Sequence, residues 1–153
     1  MKLHRLDALQ KLPISIQEAW DFFSDPHNLA RITPGWMGFE VTSPPQERMY
    51  AGMIITYRVR PLLNVPMRWV TEITHVDEPH RFVDEQRFGP YRFWHHQHHF
   101  REIAGGVEAT DNVHYALPPG GGAVRRALVA PRLREIFAHR REVLERTFGA
   151  WTE

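Results

Sequence analysis

The sequence predicts an α+β fold in which a strongly bent, seven-stranded antiparallel sheet wraps around one long C-terminal helix. Three observations predict it. Apolar residues recur with period two through most of residues 36–117, the spacing of half-buried strands. The breaks in that pattern hold "SPPQE", "PLLNVP", "DEPH", "GP" and "AGG", turn chemistry whose shortness requires antiparallel neighbours. Helical spacing then takes over at about 123–148, with Leu133, Ile136, Phe137, Arg140, Val143, Leu144 and Phe148 on one side. A helix laid across a bent sheet buries both apolar faces. Such a sheet does not close fully on the helix and can leave an interior pocket.

The elements follow in order. Residues 1–12 alternate loosely and stop at Pro13, which predicts a first strand. "SIQEAWDFFSD" puts Ile16, Ala19, Trp20 and Phe23 on one helical face. Ser15 with Glu18 three residues on is the pattern of a capping box. "DPHNLARITP" reads as a second short helix, stopped before Pro34. Strands are expected at 36–43, 52–60, 66–76, 80–88, 91–102 and 106–117. Gly89-Pro90 reads as a tight hairpin turn. The glycines at 120–122 read as a flexible entry to the long helix, and Pro131 as a kink or restart within it.

Composition narrows the function classes. A chain of 153 residues suits one domain, large enough for one core or one lined cavity. Hydrophobic residues make up 42% and charged residues 24%, ordinary for a globular protein. A net charge of +1 gives no reason to expect nucleic acid. The arginines of "RRALVAPRLREIFAHRREVLER" alternate with apolar residues and read as the solvated face of a helix. Without cysteines there are no disulfides, thiolate zinc sites or cysteine nucleophiles. The opening "MKLHRLDALQKLPI" lacks the apolar run of a signal peptide, and no segment approaches the ~20 apolar residues of a membrane span. These features predict a cytoplasmic protein.

Strand parity assigns side chains to faces. Four of the ten histidines fall in "RFWHHQHHF". Parity places His96 and His98 inward with Trp94 and Phe100, and His95 and His99 outward as solvated residues. Phe82, Asp84, Gln86 and Phe88 share the expected inner face of 80–88, against Arg81, Val83, Glu85 and Arg87. Asp111, Val113, Tyr115 and Leu117 share a face of the last strand. Earlier strands add Ile55, Tyr57 and Val59, then Trp69, Thr71 and Ile73. Helical spacing puts the Arg140 stem on the apolar face. A buried Arg calls for a partner, and Asp84 or Asp111 would provide a charge-assisted one.

Several chemistries fit this inner surface. A ligand pocket would use Tyr57, Trp69, Phe82, Trp94, Phe100, Tyr115 and Phe137 for contact area, with Asp84, His96, His98 and Arg140 for orientation. The same aromatics could fill an ordinary core around one satisfied polar network. Catalysis would pair Asp84 with His98 or Asp111 with His96 as a general base, with Arg140 stabilising an enolate or oxyanion. A metal could be shared by His96 and His98, roughly 6.6 Å apart along a strand, with Asp84 as third ligand. An H-x-H pair is thin support for that, and the expectation is no metal and no cofactor.

The words "AWDFFSDPHNLARITP", "FVDEQRFGPYRFWHHQHHF", "TDNVHYALPPG" and "IFAHRREVL" span most of the chain. In combination they resemble the START/Bet v 1-like superfamily, also called SRPBCC or polyketide cyclase/dehydrase-like. More narrowly, they resemble a bacterial ligand-binding SRPBCC branch known as cell division inhibitor-like. The resemblance implies a helix-grip fold with a cavity between sheet and helix. It favours the pocket, holding a small, largely apolar, lipid- or polyketide-like ligand, with a cyclase or dehydratase as the alternative. Some members are fused to an NAD-dependent epimerase-like domain. This chain has no G-x-G-x-x-G fingerprint, so any such link would run through a separate partner protein.

Overall fold

Alternation and turn chemistry divide the chain into seven strands and a few helices in the computed structural model. It describes residues 1–153 apart from Leu62, Gly121 and the side chains of residues 122 and 124–126. In chain order they are β1 (His4–Leu12), α1 (Ile16–Phe23), α2 (Pro26–Arg31), a 3₁₀ turn (Gly35–Met37), β2 (Glu40–Val41), β3 (Ile54–Val59), β4 (Met67–Asp77), β5 (Arg81–Phe88), β6 (Phe93–Ile103), β7 (Gly106–Ala116) and α3 (Gly122–Phe148). The strands form one sheet in the order β1-β7-β6-β5-β4-β3-β2. Every neighbouring pair is antiparallel, and the first strand closes beside the last.

The local signals act as expected at α1. Ser15 accepts from the Glu18 backbone N–H, and the Glu18 carboxylate accepts from the Ser15 backbone. That box satisfies two donors a helix start would otherwise leave open. Ile16, Ala19 and Trp20 turn inward. Asp25 caps α2 through the His27 N–H, with Pro26 in its first turn.

The expected strand at 36–43 is mostly absent. Residues 35–37 wind into the 3₁₀ turn, and only Glu40–Val41 pair with β3. Gly38 ends the turn at φ +52°, a left-handed conformation suited to glycine. A Cβ there would lie 3.1 Å from the Arg60 side chain. The long helix does not restart at Pro131, which lies within α3. Buried Val129 and Leu133 anchor the helix on both sides of the missing N–H. Gly121, in the run expected to form a flexible entry, lies outside the described residues, as does Leu62 of the "PLLNVP" turn.

Two apolar clusters of buried residues pack between sheet and helices. One gathers Trp20, Ile55, Tyr57, Phe82, Phe100 and Leu144 among others. The second holds Trp94, Val113, Tyr115, Val129 and Leu133. Trp69 and Ile136 pack against both. Among the described residues no helix is long and apolar enough to cross a membrane.

Candidate functional site

Three adjacent strands set the polar centre. On β6 burial alternates: Trp94, His96, His98 and Phe100 are buried, while His95, Gln97 and His99 are half-buried on the other face. Across the ladders Asp84 faces His96, and Asp111 faces His98. The closest contacts nevertheless run diagonally. His96 Nε2 lies 2.8 Å from Asp111 Oδ1, and His98 Nε2 lies 2.6 Å from Asp84 Oδ2. The facing contacts are longer: 3.6 Å from His96 Nδ1 to Asp84 and 3.3 Å from His98 Nδ1 to Asp111. That last contact lacks hydrogen-bond alignment, so the buried His98 Nδ1 has charge nearby but no bonded partner.

The two imidazoles stack 3.8 Å apart, and His98 also stacks on Phe82 at 4.0 Å. Trp94 Nε1 donates to Asp84 Oδ1 at 3.3 Å. Arg140 reaches down from α3 to 3.4 Å from Asp111 Oδ1, so Asp111 is the partner that parity left open. A β-bulge interrupts the β4–β5 register between Ile73 and His75, opposite Asp84. Bulges often re-aim side chains beside functional sites.

Burial and charge set the protonation. Burial opposes ionisation of Asp111, but Arg140, the His96 hydrogen bond and the nearby His98 outweigh it and hold the carboxyl well below its usual range. Asp84 is lowered for similar reasons: burial opposes, and His96, His98 and Trp94 prevail. The imidazoles move apart. Burial and the charge of His98 push His96 down, whereas the two carboxylates overcome burial and raise His98. The stacked pair therefore gives up its two protons unequally, His96 before His98. Burial pushes the Tyr57 and Tyr91 phenols up, so both are neutral.

Above this network lies a cavity of about 230 Å³. It has the volume of about eight water molecules at ~30 Å³ each, a little under the usual size of small-molecule pockets. Of the predicted residues, Tyr57, Trp69, Phe82, Asp84, Trp94, His96, His98, Phe137 and Arg140 line it. Phe100 and Tyr115 do not. Both face inward, but Phe100 is covered by Trp20 and Phe23, and Tyr115 packs against His4 and Tyr91. Asp111 lies behind the main wall and lines a small neighbouring void with Arg140.

Parity reasoning also missed lining residues from outside the strands. Leu29, Ile32 and Trp36 come from the α2 region, and Leu133 and Ile136 from α3. Their helical spacing marked an apolar face, but not which part of it meets open space. Trp36 Nε1 donates to Glu135 at 3.0 Å, and Arg132 lies over its ring, tying the 3₁₀ turn to α3. Tyr91 lines the cavity because the Gln86 amide both donates to and accepts from its backbone. The Trp69 Nε1 is buried without a hydrogen-bond partner in this lining residue.

Two facial expectations on β5 fail. Phe88 is 62% exposed, and Val83 is buried. Both sit at register shifts in the β4–β5 ladder, which break strict alternation. The outer histidines are not simply solvated. Glu85, His95, Gln97 and His99 form a chain of contacts at 2.7, 3.0 and 3.0 Å.

Donor atoms of Asp84, His96 and His98 lie within 4.8 Å of one another. These are the residues that could hold a metal. Asp84 and His98 already hydrogen-bond each other there, so a metal would have to replace that bond.

A family model described as "Polyketide cyclase / dehydrase and lipid transport" matches residues 12–147. Comparison with curated proteins found no match. Among solved structures, protein CV1439 from Chromobacterium violaceum is similar over 97% of this chain and 99% of its own, at 11% identity and TM-score 0.73. A START superfamily protein from Mycobacterium smegmatis is similar over 94% and 99%, at 10% identity and TM-score 0.67. The di-domain ARO/CYC BexL from the BE-7585A biosynthetic pathway is 15% identical, with TM-score 0.69. The match covers 98% of this chain and 51% of BexL. At these identities the likeness shows the shared helix-grip fold.

Proposed function

The chain belongs to the polyketide cyclase/dehydrase and lipid transport family, and from that premise we propose that it binds a small, largely apolar molecule in the cavity between sheet and α3. The observation that carries this reading is the 230 Å³ interior space walled by aromatic and aliphatic side chains, with Asp84, His96, His98 and Arg140 on its wall. A packed interior would hold no such space. Apolar walls supply affinity, and a few convergent polar groups supply orientation. The unpartnered Trp69 N–H offers a further donor to a ligand oxygen.

The test uses naphthalene-carboxamide, a neutral fluorophore small enough for the space. Saturable binding is expected, and Ile136→Trp, which fills the lining, should abolish it while circular dichroism keeps the native signature. Binding that survives in the folded variant would place the ligand elsewhere.

A second reading, a cyclase or dehydratase, is favoured by one observation. Stacked imidazoles pushed in opposite directions provide a general acid beside a general base. His96→Gln and His98→Gln separate the readings when binding and turnover of a β-polyketone are compared. Retained affinity with lost turnover favours catalysis. No turnover by wild type leaves the binder.

A further inference from the structure

Arg140 is the least satisfied charge in the interior. Its side chain is 9% exposed, and its guanidinium lies 5.1 Å from the Phe23 ring and 5.6 Å from the Phe137 ring. Asp111 is 3.4 Å away, a charge contact rather than an aligned hydrogen bond. A guanidinium has five N–H donors in a planar fork that suits an oxyanion. None of these atoms is among the fully buried orphans, and Arg140 forms part of the cavity wall. The donors that Asp111 leaves are therefore available to the space in front of them.

The charges around the stacked pair can be counted element by element. β5 gives Asp84, β6 gives His96 and His98, β7 gives Asp111 and α3 gives Arg140. On β3, Tyr57 stays neutral because burial pushes its phenol up. Two carboxylates against one guanidinium leave a single negative charge. One imidazolium cancels it. A second imidazolium would leave an uncompensated buried positive charge, and an anion added alone would leave a negative one; both are costly away from water. An anion and a proton entering together keep the interior neutral.

We propose that the ligand is an amphipathic monoacid, a carboxylate or enolate on an apolar body, whose anionic oxygen is held by Arg140 and whose charge is balanced by one proton taken up on the His96–His98 pair. The proposal rests on the cavity-binding reading and adds the ligand's charge class. The diagonal hydrogen bonds make it workable. Each imidazole already has a carboxylate at both ring nitrogens, so a second proton finds an acceptor without rearrangement. With the first proton on His98, the second goes to His96 Nδ1, which faces Asp84 Oδ2 at 3.6 Å.

The experiment compares naphthalene-carboxylate with naphthalene-carboxamide on wild-type protein by calorimetry, in two buffers of different ionisation enthalpy, between about pH 6 and 8. The carboxylate should bind about tenfold tighter or more, the effect of one charge-assisted hydrogen bond. Its binding should take up about one proton, and its affinity should weaken as pH rises, by up to about tenfold per unit. The amide should show neither effect. Arg140→Gln should lose the preference for the carboxylate. If that variant does not fold, the wild-type comparison decides alone. Equal affinity for the two probes would overturn the monoacid assignment and leave the cavity reading standing. Tighter carboxylate binding without proton uptake would overturn it as well. Failure of both probes to bind would defeat the cavity reading itself.

Discussion

The two faces of β6 carry the same residue type into opposite circumstances. Inside, His96 and His98 are buried, stacked on each other and held between two carboxylates. Outside, His95 and His99 are half-buried and joined through the Gln97 amide to one carboxylate at the end of the chain. Each inner charge depends on another charge, because burial strengthens every charge contact and makes an unpaired group costly. The outer groups can exchange partners for solvent. Histidine count therefore says little about function, whereas the face on which each one lies says a great deal.

The largest expected break in this contrast is at Asp111. Asp111→Ala removes the shared partner of His96, His98 and Arg140, and should cost about 3–5 kcal/mol in urea unfolding. Glu85→Ala, which strips the outer chain of its carboxylate, should cost under about 1 kcal/mol. Comparable losses would erase the distinction between the faces.

Acid sharpens it next. Asp84 and Asp111 both lie below their ordinary value of 3.8. Their stabilisation is complete above that value and is lost as pH falls through the folded values. Stability should fall steeply below about pH 4, and Asp84→Asn should flatten the slope. An unchanged slope would mean that these carboxylates do not control acid unfolding.

The inner histidines should differ from each other in sign. His98 is raised above 6.5, so its contribution is present below that value and lost as pH rises through the folded one. His96 is lowered, so stability is lost as pH falls below 6.5. His98→Gln should remove a loss on the alkaline side, and His96→Gln one on the acid side. The smallest effect is expected from His95→Gln, within about 0.5 kcal/mol at neutral pH.

Much of this was legible in the sequence because β6 and β7 alternate without interruption. Period two placed His96, His98 and Asp111 inside, and helical spacing brought Arg140 onto the same interior. Parity failed where the ladder slips, at Val83 and Phe88. It also gives direction but not depth: Phe100 and Tyr115 point inward, yet neighbouring rings cover them. The diagonal pairing of histidines and carboxylates depends on side-chain rotamers that spacing does not encode. The strand expected at 36–43 gave way to the left-handed Gly38 and the turn before it.

The central claim is that the inner histidine pair faces a cavity that admits a small apolar molecule. Imidazole nitrogen resonances of ¹⁵N-labelled protein, followed while naphthalene-carboxamide is added, test it most directly. The resonances of His96 and His98 should shift saturably while those of His95 and His99 stay in place. Equal shifts on both faces, or a bound probe that leaves the inner pair unmoved, would contradict it.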